Sequence, residues 1–390
     1  RQIMKKFKLG FIINPIAGIG GSVALKGSDG MVMHALALGA KPLANSRAKL
    51  ALEVLLPYQD EIIIYTANAL MGEQCARELG FEVEVLYHAK NKHTQSNDSQ
   101  LAAEALLANG VDIILFAGGD GTARDIANVV AGDGDYQPVP VLGIPAGCKI
   151  HSGVYAITPK AAGRIIELMV TNELVTLTTG DVMDIDESLF RQGIVKAKRY
   201  SEMKIPSELR YVQAVKSGGK ESDELVLQDI AANVIEEMND YDDRQFIIGS
   251  GSTTAFLMSE LALGNTLLGV DIVSDQSLTA VDVTEAELFK AIIDYHGISK
   301  LVITLIGGQG HVFGRGNQQL SPRVIRTILS QPGGRENITI LATKTKLEAL
   351  VNKPLISDTG DSALDQQLSG FMPITTGYKD QVLYPLASPQ

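Results

Sequence analysis

The chain has 390 residues, 45% of them hydrophobic and 20% charged, with a formal net charge of −11. This is a globular composition, long enough for two domains, and its acidity excludes a protein that grips nucleic-acid backbone through a broad basic surface. A nucleotide ligand stays open, because local amides, a lysine or a metal hold phosphates whatever the global charge.

The two cysteines, Cys75 and Cys148, are far apart and lack metal-ligand spacing. That excludes a disulfide framework and a cysteine-rich zinc site and fits a reducing compartment, so a cytoplasmic location is expected. None of the six histidines lies in an H-E-x-x-H pattern, so no transition-metal site is expected. No apolar run approaches the roughly 20 residues needed to cross a bilayer, and the apolar stretch in the opening RQIMKKFKLGFIIN is too short for a signal segment. Neither a membrane nor a nucleic acid is expected as a partner.

From the N-terminus, KLGFII reads as a strand, followed by the glycine-punctuated loop NPIAGIGGSVALKGSDG. ANSRAKLALEVLL has helical spacing, EIIIYTA is a strand, GEQCARELG a helix and FEVEVLY a strand. SQLAAEALLANG is again helical and leads into the apolar strand DIILFAGG. Short apolar strands between helices indicate a parallel-rich sheet covered on both faces. TPKAAGRIIELMV predicts a helix capped by Thr158 with Pro159 at its first position.

Beyond that helix the pattern changes. LVTLTTGDVMDID, GIVKAKRYSEMKI and ELRYVQAV are richer in β-branched and alternating positions, which predicts an antiparallel-rich second domain. Within it, DELVLQDIAANVIEEM predicts a helix, and RQFIIGSGSTTAFLMSEL a strand, a loop and a helix. Ser321-Pro322 opens another helix, ENITILAT is a strand, and TKLEAL and DSALDQQL are short helices. This return to alternating strands and helices is the ground for expecting the tail to pack on the first domain. The expected layout is an α/β phosphate-binding domain over 1–158, a β-rich substrate-binding domain over 159–320, and a C-terminal segment over 321–390.

The strongest local signal is FAGGDGTARDIANVV. A buried strand ends at Phe116, Gly118, Gly119 and Gly121 permit a tight turn, and a helix is expected to open at Thr122, with Thr122 and Asp125 at capping-box spacing. First-turn amides there point at an anion. Asp120, a carboxylate among those glycines, repels phosphate unless it binds a metal or takes a proton from an attacking hydroxyl. An Asp-Gly turn is the plain structural alternative. Asn128, further along the same helix, joins the candidates.

Other loops repeat the theme. Asn14, Pro15 and Gly18 follow the first strand, without the Walker or dinucleotide glycine spacing. Lys26 to Gly30 adds a cation and a flexible turn, and GIPAGCKIHSGVYA contributes Gly147, Lys149, His151 and Ser152. GSGSTTAFL contributes Gly251, Ser252, Thr253 and Thr254, where hydroxyls and free amides suit a ribose or phosphate oxygen. GGQGHVFGRGNQQLSPRVIR contributes Gly308 and Gln309 from a run denser in glycine than a structural segment requires.

GGDGT, FIINPIAGIGG, KGSDG, IPAGCKIHSGVYA and IGGQGHVFGRGNQQLSPRVIR, in their order along nearly the whole chain, resemble the NAD kinase and diacylglycerol kinase superfamily, in its ATP-NAD kinase-like branch. The resemblance implies an α/β N-terminal domain, a β-rich C-terminal domain and a site in the cleft between them. It implies phosphoryl transfer from ATP or polyphosphate to the adenosine ribose 2′-hydroxyl of NAD, giving NADP. Asp120 is then the general base, Gly118, Gly119, Gly121 and Thr122 cradle the diphosphate, and Asn14 lines the phosphate side. Ser252, Thr253 and Thr254 stand for the family's glycine–serine–threonine loop. Mg²⁺ or another divalent ion is the implied cofactor, and a homodimer or higher homo-oligomer the implied assembly.

Two departures bear on the acceptor. The asparagine–glutamate pair that follows GGDGT in better-known NAD kinases has Asn172-Glu173 as its nearest counterpart here, after a helix, and GSGSTTAF replaces the threonine-proline-threonine-glycine-serine string. A superfamily kinase with another acceptor, a lipid or another nucleotide, therefore stays open, as does a nucleotide-binding regulatory protein without turnover.

Overall fold

The computed structural model describes residues 5–18, 43–91, 94–131, 138–146, 150–156, 158–185, 197–207, 223–264, 266, 269–314 and 317–389. Gly147, Lys149, the run from Lys26 to Gly30 and the expected strand ELRYVQAV lie outside these residues. The chain divides into two compact units, Lys6–Thr171 with Thr178–Ser207, and Asn172–Leu177 with Glu208–Gln390 and the first few residues.

The first unit is built on β1 (Phe7–Ile13), β2 (Ile62–Ala67), β3 (Glu82–Tyr87), β4 (Ile113–Gly118) and β5 (Val141–Pro145). They form an all-parallel sheet in the order β3-β2-β1-β4-β5. Its helices are α1 (Ala44–Val54), α2 (Glu73–Glu78), α3 (Ser96–Asn109), α4 (Asp120–Val130) and α5 (Pro159–Val170). Every residue of β4 is buried, and every residue of β1 except Lys8, as central strands covered on both faces require. Ile12, Ile114 and Phe116 pack with Leu106 of α3 and Ile126 of α4.

Thr158 caps α5 as expected, its hydroxyl accepting the Ala161 amide at 3.0 Å, with Pro159 in the first turn. Helix α5 crosses α1 closely. A Cβ on Gly163 would lie 2.4 Å from the Ala51 carbonyl oxygen and 2.8 Å from the Val54 Cβ.

The domain boundary expected at 159 is corrected. Helix α5, strand β6 (Val175–Ile185) from Thr178 onward and its partner β7 (Ala197–Ser207) belong to the first unit. Val182 and Met203 enter its core, and the Gly153 amide donates to the Asp181 carbonyl at 2.7 Å. Burial and this backbone bond, not strand character, decide the membership.

The second unit holds β8 (Arg244–Ile248), β9 (Asp271–Ser274), β10 (Ser277–Ala280), β11 (Ile298–Thr304), β12 (His311–Phe313), β13 (Ile338–Leu341), β14 (Leu355–Ser357), β15 (Gly370–Gly377) and β16 (Asp380–Ala387). Their order is β10-β9-β8-β11-β13-β15-β16-β14-β12. Helices α6 (Asp223–Asp240), α7 (Ser252–Glu260), α8 (Glu285–Asp294), α9 (Pro322–Ser330), α10 (Lys344–Glu348) and α11 (Ser362–Leu368) complete it among the described residues.

This unit is rich in strands, but its sheet is mixed. β8, β11, β13 and β15 run parallel, whereas the β8–β9, β9–β10 and β15–β16 pairs are antiparallel. The expected return of 321–390 to the first domain is corrected too. β13 to β16 are strands of this same sheet, and Ile340, Ile374 and Val382 share a core with Ile247, Leu301 and Ile303. Alternating strands and helices mark a parallel sheet, and here both units contain one.

Gly163→Ala tests the α1–α5 crossing. Helix propensity favours alanine by about 1 kcal/mol, but the Ala51 carbonyl is backbone and cannot swing aside, so overpacking of roughly 1–3 kcal/mol prevails. The denaturation midpoint of the purified variant should fall by an amount equivalent to up to about 2 kcal/mol.

Candidate active site

In the first unit the strand order reverses between β1 and β4, since β2 and β3 lie on one side and β5 on the other. Ligands of open α/β sheets bind at such a switch point, beyond the carboxyl ends of the strands. The loops that leave β1, β4 and β5 are tied together there. The Asn14 amide donates to the Ala117 carbonyl at 3.0 Å, and the Ala146 amide to the Gly118 carbonyl at 2.9 Å. Gly18 has φ +75°, and a Cβ on it would lie 2.0 Å from the Ala146 oxygen. Pro15 is buried between them in the chain.

The Asn14 side-chain amide donates to the buried Thr122 hydroxyl at 2.9 Å. Thr122 also presses on the turn: a Cβ on Gly118 would lie 2.2 Å from its hydroxyl oxygen. The helix opens two residues earlier than expected, with Gly119 as N-cap and Asp120 in the first turn. The expected capping box is absent. Thr122 serves Asn14 instead, and the Asp125 carboxylate accepts from Ser96 and Gln100. These contacts come from elements distant in sequence and outcompete the local cap.

Asp120 therefore stands at the positive end of α4, where a carboxylate is stabilised. It is held from the segment after β5. The Ser152 amide donates to Asp120 Oδ1 at 2.9 Å, and the His151 amide to Oδ1 and Oδ2 at 3.2 and 3.0 Å. The His151 Nδ1 lies 3.4 Å from Oδ2, a charge contact when the imidazole is protonated. The Asp120 side chain is 10% exposed. A carboxylate has about four acceptor positions, so these amides orient Asp120 without exhausting it. Ser152 is itself pinned, its hydroxyl accepting the Met183 amide at 2.9 Å.

Asn128 does not join this group. It lies eight residues beyond Asp120, about 12 Å along the helix axis, exposed and accepting from the Tyr200 hydroxyl at 2.5 Å. Tyr155 is a neighbour of Asp120 that sequence reasoning passed over. Its hydroxyl donates to the Gly119 carbonyl. Nothing in the local string marks it, because its partner is backbone 36 residues away.

The second unit has a comparable strand-to-helix junction. Gly251, at φ +137°, is the N-cap of α7, and a Cβ on it would lie 2.3 Å from the Thr304 side chain. Ser252, Thr253 and Thr254 form the first turn of α7. Thr253 and Thr254 are buried, and the Thr254 hydroxyl donates back to the Gly251 carbonyl at 3.0 Å. Ahead of the helix, Ser250 donates through its amide and hydroxyl to the buried Asn317 Oδ1 at 2.9 and 2.7 Å.

Lys346 of α10 donates to the Ser252 and Thr253 hydroxyls at 3.2 and 3.4 Å. The sequence did not single it out, since its relevance depends on β8 and β13 flanking β11 in one parallel array. Gly308 and Gln309 form the tip of an exposed turn closed by the Ile306 amide donating to the His311 carbonyl at 2.7 Å. A tight turn accounts for the glycines at Gly307 and Gly310, whose φ values are +72° and +81°.

Among the described residues there is no group of three or more His, Cys, Asp or Glu side chains able to hold a metal ion. No helix among the described residues is long and apolar enough to cross a membrane.

The family models described as ATP-NAD kinase N-terminal domain and ATP-NAD kinase C-terminal domain match residues 9–174 and 241–386. The chain belongs to the ATP-NAD kinase family. It is a member of a kinase family with an N-terminal parallel α/β domain and a sheet-rich C-terminal domain.

No curated protein matches the chain. A solved diacylglycerol kinase from Bacillus anthracis str. Sterne is similar at 16% identity and a TM-score of 0.22, over 45% of this chain and 47% of that one. Two further solved chains from that organism, provisionally named diacylglycerol kinases, are similar at 15% and 17% identity with TM-scores of 0.23. They match 45% of this chain and 46% and 44% of their own lengths. The chain thus spans less than half the length of each of these structures.

Gly118→Ala should displace Thr122 and break its bond with Asn14. A loss of about 1–3 kcal/mol in stability is expected, read from a denaturation curve. Asn14→Ala, which removes the bond and leaves the turn open, should lose only about 1 kcal/mol.

Proposed function

We propose that this protein is an NAD kinase, transferring a phosphoryl group from ATP or polyphosphate to the 2′-hydroxyl of the adenosine ribose of NAD. The observation that carries the reading is Asp120, a carboxylate fixed by the His151 and Ser152 amides at the N-terminus of a helix that follows a glycine turn. Anions bind at such helix termini, and a base positioned there meets a hydroxyl beside a phosphate.

In the reaction the 2′-hydroxyl oxygen forms a bond to the transferred phosphorus as the bond from phosphorus to the leaving phosphate oxygen breaks. The hydroxyl proton passes to the Asp120 carboxylate. The first-turn amides of Gly121 and Thr122 have no intrahelical acceptor and face the phosphate, and Asn14 holds Thr122 in place. A divalent ion, when bound on the donor, supplies neutralisation of charge on the transferred group.

The second unit supports a phosphate-binding role for Ser252, Thr253 and Lys346. A lysine over the N-terminus of a helix is a cation at its positive end, which electrostatics disfavours until an anion joins it. Mg²⁺ dependence, a cytoplasmic location and a homo-oligomeric assembly belong to the same proposal.

A second reading, a kinase of this superfamily with another acceptor, is favoured by Asn172. It adopts a left-handed φ of 59°, is buried, and donates to the Asn352 carbonyl at 3.3 Å. The nearest Asn-Glu pair thus has a structural use.

The deciding experiment is NADP formation by purified protein with NAD and Mg²⁺, supplied with ATP or polyphosphate in separate reactions. Asp120→Asn should lower kcat about 10²–10⁴-fold with little change in nucleotide affinity. Absence of NADP with either donor, from folded protein, would shift the assignment to another acceptor. Lys346→Ala should raise the KM of one substrate about tenfold, the size of a lost charge-assisted hydrogen bond, measured by initial rates.

A further inference from the structure

Asp120 is held twice by one short piece of chain. His151 and Ser152 grip its carboxylate through their amides. Three residues later Tyr155 reaches the peptide immediately before Asp120, donating its hydroxyl to the Gly119 carbonyl. That carbonyl also accepts the first hydrogen bond of α4, from the Ala123 amide at 3.0 Å. Tyr155 thus locks the first turn of the helix on which Asp120 stands.

The tyrosine has little freedom to do otherwise. Its backbone is tacked to β5, the Gly143 amide donating to the Val154 carbonyl at 2.8 Å and the Ala156 amide to the Gly143 carbonyl at 2.9 Å. Its ring lies over Gly143, where a Cβ would come within 2.3 Å of a ring carbon. The ring also meets Phe116 edge-on at 5.4 Å between centroids. Gly143 is therefore the residue that makes room for the ring, and Phe116 sets its tilt.

We propose that Tyr155 is a positioning residue: its hydroxyl, through the Gly119 carbonyl, sets the direction in which the Asp120 carboxylate points. The inference rests on the proposed role of Asp120 as the base. Burial, followed by the nearby Asp120 and Asp125 carboxylates, raises the phenol pKa well above its ordinary value, so the hydroxyl remains a donor throughout the neutral range. Tyr155 does not touch the reacting atoms in this account. It acts by holding the peptide that carries them.

The test is Tyr155→Phe in the full chain, which keeps the ring against Phe116 and Gly143 and removes only the hydroxyl. Two measurements are made. In steady-state NADP formation, kcat should fall about tenfold, the scale of one lost hydrogen bond, while the KM for NAD stays within about twofold. In hydrogen exchange, amides in 119–124 and 150–153 should exchange about tenfold faster, with the second unit unchanged. Wild-type kcat, a raised KM at unchanged kcat, or unchanged exchange in both segments would each overturn the proposal. If the wild-type protein makes no NADP, the assignment of the reaction fails instead, and the exchange measurement alone decides whether Tyr155 holds Asp120.

Discussion

The turn at Gly118 brings strand β4 against the side chain of Thr122 so closely that no Cβ fits between them. That contact lets helix α4 begin one residue after its N-cap at Gly119, directly beyond the strand, and so puts Asp120 at the helix N-terminus. It also buries Thr122 where Asn14 of the neighbouring loop reaches it. With a longer connection the carboxylate would sit in a solvated loop, without the helix dipole or the amides of His151 and Ser152 to aim it. Each other part of the site in this unit, from Gly18 on Ala146 to Tyr155 on Gly119, braces this one turn.

The two units solve the same problem with opposite charges. In the first, a carboxylate occupies the positive end of α4 and is stabilised there before any ligand binds. In the second, Lys346 faces the positive end of α7 through the hydroxyls of Ser252 and Thr253, an arrangement that favours an anion and gains from one. In the proposed reaction a general base at Asp120 has to hold its direction before the ligand arrives, whereas the proposed phosphate contact at Lys346 improves as the phosphate arrives. Both depend on a glycine with room for nothing larger, Gly118 against Thr122 and Gly251 against Thr304.

Membership of the ATP-NAD kinase family and the fold of the first unit were legible in the residues themselves. The apolar strands, the helix cap at Thr158, the glycine loops and Asp120 are local patterns, in which a few neighbouring side chains decide the outcome. So was the helix at Ser321-Pro322. The domain boundaries were not legible, because a strand carries no mark of which sheet it joins. β13 to β16 read like the first unit yet complete the second sheet, and β7 is joined to that sheet through β6 yet packs with the first unit.

Chemistry-bearing residues divide in the same way. The sequence by itself determined which loops hold glycines, hydroxyls and a carboxylate, since those are matters of composition at a given spacing. Only the tertiary structure decided that Thr122 bonds to Asn14 rather than capping its own helix, that Asn128 stands apart from Asp120, and that Gly308 and Gln309 are a turn. It alone brought in Tyr155 and Lys346, 35 and 94 residues from the groups they serve, counted from Asp120 and Ser252. Hydrogen bonds formed across such separations depend on which strands lie side by side, and strand order is set by how the whole core packs.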